Sequence, residues 1–518
     1  MKLLPRILAE EDEEVEAAEP QVSGSEVPRL HWAWTAAIVV VAAVPRLLYV
    51  FVFTDPENPG VRRYGDVWHH WQIAYLTKEI GLSAPDGPRL WDLKGLDYFW
   101  GILHPLLMVA VFDVTGSIDI VLDRLVSLVF GVVVIVLVFH IVRRHWGTQA
   151  ALGAAVIASL IPTSVMNDAS GMLEPLGVAL CLFGLASWPR RGFVSGLAFG
   201  VATMARAEAW LFGLGMVAAA FFKREGRQQR VLLVAGFGAV MLLYMKILYD
   251  KTGDPIYPLW WNFFANAVGK WELTPVSAEQ AAVRPILGAG LVLAAAGLAW
   301  TLWRRPPSYM LLTFGFGYWV FVCGMLGFTS YLASWVWWMP ITRVFAFPYV
   351  FAGILFAVLL LWLAPRRFGP RFLPVGWGLV ATALLVSQLA WLPINAEFGP
   401  SEAEWHAIKA EGVQLGAWYN ASPYQGHSLA VPSDRPEITY VLARYGGVEG
   451  KHLISEMYAP DHLTACWFAR TDVRLIAADG AFMLKVQENP TWYTHVGTME
   501  EAHWEVFEVN APPCVGAT

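Results

Sequence analysis

Eleven apolar runs, most of them about as long as a membrane is thick, dominate this sequence. They lie near residues 30–53, 118–142, 148–165, 171–188, 192–204, 207–222, 230–249, 284–303, 309–328, 343–364 and 372–394. The hydrocarbon of a bilayer is about 30 Å across, and a helix needs roughly 20 apolar residues to cross it. In lipid every backbone polar group must be paired within the chain, which leaves such segments few choices besides the helix. With 15% charged residues and a mean hydropathy of +0.47, the chain is excluded from the water-soluble globular class. The sequence predicts a polytopic α-helical membrane protein with about eleven transmembrane helices, the pair between 192 and 222 being short. A further apolar run, 99–114, carries His104, Pro105 and Asp113 and reads as a re-entrant or surface helix.

Charge placement orients this path. Basic clusters fall at Arg143–Arg144, Arg190–Arg191, Lys223 to Arg230, Arg304–Arg305 and Arg366 to Arg371, and each lies in a turn on the side of the N-terminus. Lys and Arg accumulate in cytoplasmic loops, so the N-terminus is expected in the cytoplasm. The segment 54–117, the turn near Asp168, the 250–283 loop and everything after 395 are then extracytoplasmic. Residues 1–29 are acidic and polar, without the basic-then-apolar layout of a signal peptide, and read as a disordered cytoplasmic tail. Trp favours the membrane–water boundary, which accounts for most of the 26 Trp. The expected location is the plasma membrane.

The division is thus 1–29 tail, 30–394 transmembrane catalytic domain with its first outside loop at 54–117, and 395–518 extracytoplasmic soluble domain. The last part has turn signals such as Tyr445-Gly446-Gly447. It has strand-like pieces at Val473 to Ala477 and Phe482 to Val486, and an amphipathic helical pattern from Glu402 to Tyr419. About 120 residues suffice for a small α/β domain. Cys466 and Cys514 lie in it, and outside the cytoplasm a disulfide between them is open to them. Cys181 and Cys323 fall in apolar runs and read as packing residues.

Several ionisable residues gather at the outer boundary. Asp66 opens an amphipathic pattern in the first outside loop, and His70, four residues on, shares its helical face. Asp66 there can serve as general base, as a helix cap, or with His69 or His70 as a ligand of a divalent metal. Glu174 starts an apolar helix after the turn containing Asp168; the helix dipole favours an anion there, while an ionisable group at membrane depth is a functional candidate. Arg206 and Glu208, at the tip of the short pair, can form a buried ion pair or offer a guanidinium to phosphate. Arg343 is a second outer-leaflet cation that can also simply snorkel.

The order and spacing of these features resemble the GT-C glycosyltransferases, membrane enzymes that use polyprenyl-phosphate sugars. The resemblance rests on Gly65-Asp66 with its trailing aromatic and His residues, then Leu103-His104-Pro105-Leu106-Leu107 and Arg143-Arg144. It continues with Met172-Leu173-Glu174-Pro175-Leu176, the Gly200 to Glu208 segment, Gly253 to Pro258 and Arg343 to Pro348. It covers nearly the whole chain and takes in both dolichyl-phosphate-mannose mannosyltransferases and oligosaccharyltransferases.

The resemblance implies direct displacement at the sugar's anomeric carbon, with polyprenyl phosphate leaving. Asp66 is then the base, Glu174 a further catalytic acid, Arg206 and Arg343 the phosphate ligands, and His69, His70, Asp168 and Glu208 the supporting residues. The partners implied are the lipid-linked donor, membrane lipids and a lipid, glycan or protein acceptor, with no nucleic acid. A divalent cation, Mg or Mn, remains open, with Asp66, His70, Asp168 and Glu174 as its candidate ligands. The alternative within enzymes is a single-subunit oligosaccharyltransferase acting on Asn. Against it, the tail lacks a Trp-Trp-Asp-Tyr-Gly motif, and Asp168 and Glu174 stand wider apart than that branch's acid pair. The alternative of another class is a lipid flippase or secondary transporter, which would show paired inverted halves.

Overall fold

The computed structural model describes residues 28–60, 65–81, 101–222, 227–259, 346–398, 401–432, 435–456, 463–499 and 504–514. The membrane part begins with α1 (Pro28–Leu48), which runs on through a π turn at Tyr49–Phe53. The segment after α1 carries α2 (Gly65–Ile80) and α3 (Leu103–Thr115). Next come α4 (Ile120–Leu160), α5 (Pro162–Ala169), α6 (Glu174–Ser187), α7 (Gly192–Thr203), α8 (Glu208–Phe222) and α9 (Arg227–Thr252). Further along the chain follow α10 (Ala346–Val358), a π turn, α11 (Ala364–Phe368) and α12 (Phe372–Phe398).

These bounds follow the apolar runs closely, with two refinements. The runs 118–142 and 148–165 are joined in α4, where Gly147 (φ 83°, ψ 176°) breaks the helical path just after the basic pair. Only a glycine reaches that φ without strain. The turn after α4 is not a simple loop: α5 and α6 are bent by 109°, as in a broken span or a re-entrant loop. Among the described residues four helices are long and apolar enough to cross a membrane, or five if that bent pair is one span. The expected spans at 284–303 and 309–328 lie outside the described residues.

The faces of these helices fit a lipid solvent. On α12, Leu379, Leu385, Val386, Leu389 and Leu392 are all exposed. In water so large an apolar face would be a liability. Between helices, small residues replace hydrophobic attraction. On α7, Gly192, Gly196 and Gly200 recur every fourth residue. A Cβ on the first two would lie 2.3 Å and 2.2 Å from the carbonyl oxygens of Gln229 and Leu233 on α9. The third would meet the Val240 side chain at 2.6 Å. Backbone thus packs on backbone and fixes where α7 ends, immediately before Arg206.

The C-terminal part is an α/β unit: α13 (Glu402–Ala421), β1 (Leu429–Pro432), α14 (Pro436–Arg444), β2 (Leu453–Glu456), α15 (Ala465–Thr471), β3 (Leu475–Ala478), α16 (Gly480–Glu488), β4 (Tyr493–Met499) and β5 (Trp504–Val509). Its sheet has the order β2-β1-β3-β5-β4, with β1 parallel to both neighbours and β5 antiparallel to both of its own. Strands β1 and β3 are buried along their whole length, as expected where both faces of a sheet are covered. The helix expected from Glu402 to Tyr419 and the strand near Val473 to Ala477 are present. The piece Phe482 to Val486 is not a strand but part of α16: Phe482 and Val486, four apart, bury one face against the sheet. Cys466 on α15 is disulfide-bonded to Cys514 after β5.

This unit grips α2. Trp68 stacks on Trp405 with ring centroids 5.1 Å apart and packs on Tyr440 at the same distance. Gln72 Nε2 donates to Thr439 Oγ1 at 2.9 Å. Glu57, just after α1, accepts from Lys409 Nζ at 3.0 Å and from the Tyr445 hydroxyl. Burial, aided by nearby Asp119 and Glu57, raises the Tyr440 phenol above its ordinary value, so it stays a neutral ring in this joint.

Candidate functional site

Asp66 stands in the first turn of α2 and is partly exposed. The other face of α2 meets the turn between α5 and α6: a Cβ on Gly171 (φ +86°) would lie 3.0 Å from Val67 Cγ1. The beginning of α3 seats on the joint between α7 and α8, where Leu103 N donates to the Met204 carbonyl at 2.9 Å. Gly101 (φ +113°) allows this approach, since a Cβ there would lie 2.5 Å from that same carbonyl oxygen. Four segments distant in sequence therefore converge on one place.

Arg206 sits at that place, 8% exposed. Its Nε donates to Glu208 Oε2 at 2.9 Å and its Nη2 to Glu208 Oε1, a fork-to-fork pair. Its Nη1 lies 3.4 Å from Glu174 Oε1. Glu174 and Glu208 are the first residues of α6 and α8, where the positive ends of the helix dipoles favour them. The Asp66 carboxylate is near enough for its charge to act on Arg206. The cluster is one guanidinium among three carboxylates. A guanidinium has five N–H groups. Glu208 takes two of them and Glu174 lies near a third.

Other expected residues are placed differently. Asp168 is buried in a pair with Arg46 of α1, whose Nε and Nη2 reach its Oδ2 at 2.8 and 2.6 Å. It is a partner of an arginine rather than of a second acid. His69 and His70 are buried at 8% and 1%. The His70 ring lies edge-on to His104 at 5.8 Å, and His104 Nε2 is 3.0 Å from Asp123 Oδ1. Arg343 lies outside the described residues. Among the described residues no three His, Cys, Asp or Glu form a metal-binding group. Asp168 answers to Arg46, and the cation already present among Asp66, Glu174 and Glu208 is Arg206. The candidate ligands therefore do not fit a divalent ion in this arrangement, and no step below passes through one.

Sequence reasoning missed Arg46, Asp123 and Arg124, all with 0% exposure. The signal was there: each is an ionisable residue inside a run otherwise read as apolar, and such residues are costly unless paired.

Residues 101–249 match the dolichyl-phosphate-mannose-protein mannosyltransferase family. Among solved structures, the chain is similar to the Archaeoglobus fulgidus oligosaccharyltransferase in its apo form, with TM-score 0.51 and 12% identity, over 86% of this chain and 69% of that one. It is equally similar to the same organism's oligosaccharyltransferase AglB in complex with an inhibitory peptide and a dolichol-phosphate, at TM-score 0.51 and 13% identity, again over 86% and 69%. ArnT from Cupriavidus metallidurans, bound to undecaprenyl phosphate, is similar at TM-score 0.46 and 17% identity, over 92% of this chain and 98% of that one. No curated protein matches the chain. At these identities the structural likeness is one of fold. The family match and the shared fold bear out the resemblance to the GT-C glycosyltransferases.

Proposed function

We propose that this chain, which carries the GT-C fold and resembles those enzymes over 101–249, transfers one sugar from a polyprenyl-phosphate donor to an acceptor outside the cytoplasm. The observation that carries this reading is the pairing of Arg206 with Glu208 and Glu174, with Asp66 near enough for its charge to act on the same guanidinium. Asp66 takes the proton of the acceptor's nucleophile as that atom bonds to the anomeric carbon. The bond from that carbon to the phosphate oxygen breaks, and polyprenyl phosphate leaves with the electron pair. The N–H groups of Arg206 not used by Glu208 meet the growing phosphate charge, with Arg343 as a second cation. Glu174 holds Arg206 in place and keeps its charge balanced while the donor is absent.

Two features support the orientation. The basic turns put the N-terminus inside. The disulfide between Cys466 and Cys514 suits an oxidising compartment for the C-terminal unit. A polyprenyl phosphate suits the site because AglB, of like fold, is solved with a dolichol-phosphate. The likeness to that oligosaccharyltransferase keeps a second reading in view, transfer of a whole glycan to Asn. Among the described residues no three His, Cys, Asp or Glu gather as metal ligands, which weighs against it.

The test is an assay of the full chain in lipid nanodiscs against a panel of polyprenyl-phosphate sugars and of lipid, glycan and Asn-x-Ser/Thr peptide acceptors. Transfer is expected, and Asp66→Asn should lower it by about 10²–10⁴-fold, the usual worth of a general base. No transfer from any donor removes the reading. Transfer that survives Asp66→Asn removes only the base assignment.

A further inference from the structure

Two adjacent residues of α4, Asp123 and Arg124, are buried completely, and each holds segments that lead to the cluster around Arg206. Arg124 spreads its fork over two separate segments. Its Nε donates to the Ala169 carbonyl at 2.8 Å, in the turn that leads to Glu174. Its Nη1 donates to the carbonyls of Asp55 and Pro56, both at 2.8 Å, and its Nη2 to Thr54 Oγ1 at 2.9 Å. Those three residues begin the loop that leads to Asp66. One turn further along α4, the Ser127 hydroxyl donates to the Met172 carbonyl at 2.5 Å. Asp123 holds His104, whose helix α3 seats on the Met204 carbonyl beside Arg206.

We propose that Arg124 is a positioning residue: it sets the separation between the Asp66 helix and the Glu174 turn, with Asp123 doing the same for α3. The reasoning is one of geometry. Arg124 is fully buried, and its N–H groups are costly when unpaired, so each of these four bonds resists any shift of its segment. A planar fork resists such shifts better than a point charge on a flexible stem. Gly171 transmits the placement, because a Cβ there would lie 3.4 Å from the Arg124 nitrogen and 3.0 Å from Val67, the neighbour of Asp66.

The inference rests on the proposed roles of Asp66 and Glu174, and the experiment separates the two. Arg124→Lys keeps the charge and loses the fork, whereas Thr54→Val removes one acceptor, with that hydroxyl's own bond to the Tyr49 carbonyl, and leaves the other three Arg124 bonds. Hydrogen exchange is measured by mass spectrometry on the full chain in nanodiscs, and donor and acceptor kinetics on the same samples. Arg124→Lys should speed exchange in 54–58 and 169–173 and leave α9 and the C-terminal sheet unchanged. It should lower kcat about tenfold or more at nearly constant donor KM, since misplacement by about 1 Å can cost 10²-fold. Thr54→Val should do the same more weakly, confined to 54–58, and decides the matter if Arg124→Lys does not fold. Exchange that is unchanged, or that rises evenly through all helices, overturns the proposal, as does Arg124→Lys with wild-type kcat. Local loosening in a chain that shows no transfer in any assay leaves the holding role standing and removes the enzymatic reading instead.

Discussion

Arg46 grips Asp168 through two N–H groups that converge on one carboxylate oxygen, at 2.6 and 2.8 Å. The guanidinium also donates to the carbonyls of Ala42 at 2.8 Å and Ser159 at 3.1 Å, so it closes the end of α4 while holding α5. Removing one partner of a buried pair strands the other charge and costs about 3–5 kcal/mol, whereas replacing both by apolar groups can be nearly neutral. Asp168→Ala should therefore destabilise the protein strongly, and the double variant Arg46→Met with Asp168→Leu should recover much of the loss. Thermal unfolding in nanodiscs measures both. A loss in the double variant as large as the sum of the losses of Arg46→Met and Asp168→Leu made singly would show that the pair is not coupled.

Gly131 gives an independent handle on the same pair. A Cβ at that position would lie 2.3 Å from Asp168 Oδ2. Gly131→Ala must push the carboxylate aside, and overpacking of this kind typically costs about 1–3 kcal/mol. The same melting experiment should show that loss in the native background and only part of it relieved when Asp168 is already Ala, because the Cβ of residue 168 would itself lie 2.6 Å away.

Arg206 offers a test of the donor site. Arg206→Lys keeps the cation but loses the fork that fits both Glu208 and a phosphate. Donor KM should rise about tenfold, equivalent to about 1.4 kcal/mol, with acceptor KM unchanged. Arg206→Ala should raise it further. Donor KM at the wild-type value in both variants would remove Arg206 from the phosphate site and leave it as the organiser of Glu174 and Glu208.

The helices were legible because lipid leaves an apolar run of this length few other conformations, and their order followed from Lys and Arg in alternate turns. The convergence of Asp66, Glu174, Arg206 and Glu208 was legible only as a set of boundary positions. Nothing in local spacing says that the start of α3 docks on the Met204 carbonyl, because that contact depends on Gly101 lacking a Cβ. Asp168 was read by its proximity to Glu174, but tertiary structure gives it to Arg46, 122 positions away. The strand expected at Phe482 to Val486 failed for a simpler reason: a five-residue run of four apolar residues and Lys485 has no clear period, and its flanks let it close as a helix.

The disulfide between Cys466 and Cys514 closes a separation of 48 residues. Chain-entropy reasoning gives such a loop about 4 kcal/mol of stabilisation, and measured values commonly fall at 2–4. Cys514→Ser should lower the unfolding temperature of the C-terminal unit and leave the helical part intact, read by hydrogen exchange in each. Treatment of intact cells with a membrane-impermeant reductant should expose both thiols to an impermeant maleimide. Labelling that needs permeabilised cells would place this unit in the cytoplasm and overturn the orientation.

The stack of Trp68 on Trp405 ties the helix that carries Asp66 to the C-terminal unit. The rings lie 5.1 Å apart at 24°, and Trp68 Nε1 donates to the Gly60 carbonyl at 3.1 Å, so the ring fixes both ends of the loop before Asp66. Truncating a buried Trp leaves a large cavity, and Trp68→Ala should cost about 3–5 kcal/mol. Trp405→Ala removes the facing ring but leaves the bond to Gly60, so its cost should be comparable while kcat suffers less. Beyond the area each ring buries, the two should couple by about 0.5–1.5 kcal/mol in a double-mutant cycle, as aromatic pairs do. Additive losses would mean that the C-terminal unit merely covers α2. Coupling in stability together with a fall in kcat for Trp68→Ala at constant donor KM would mean that it holds Asp66 in register.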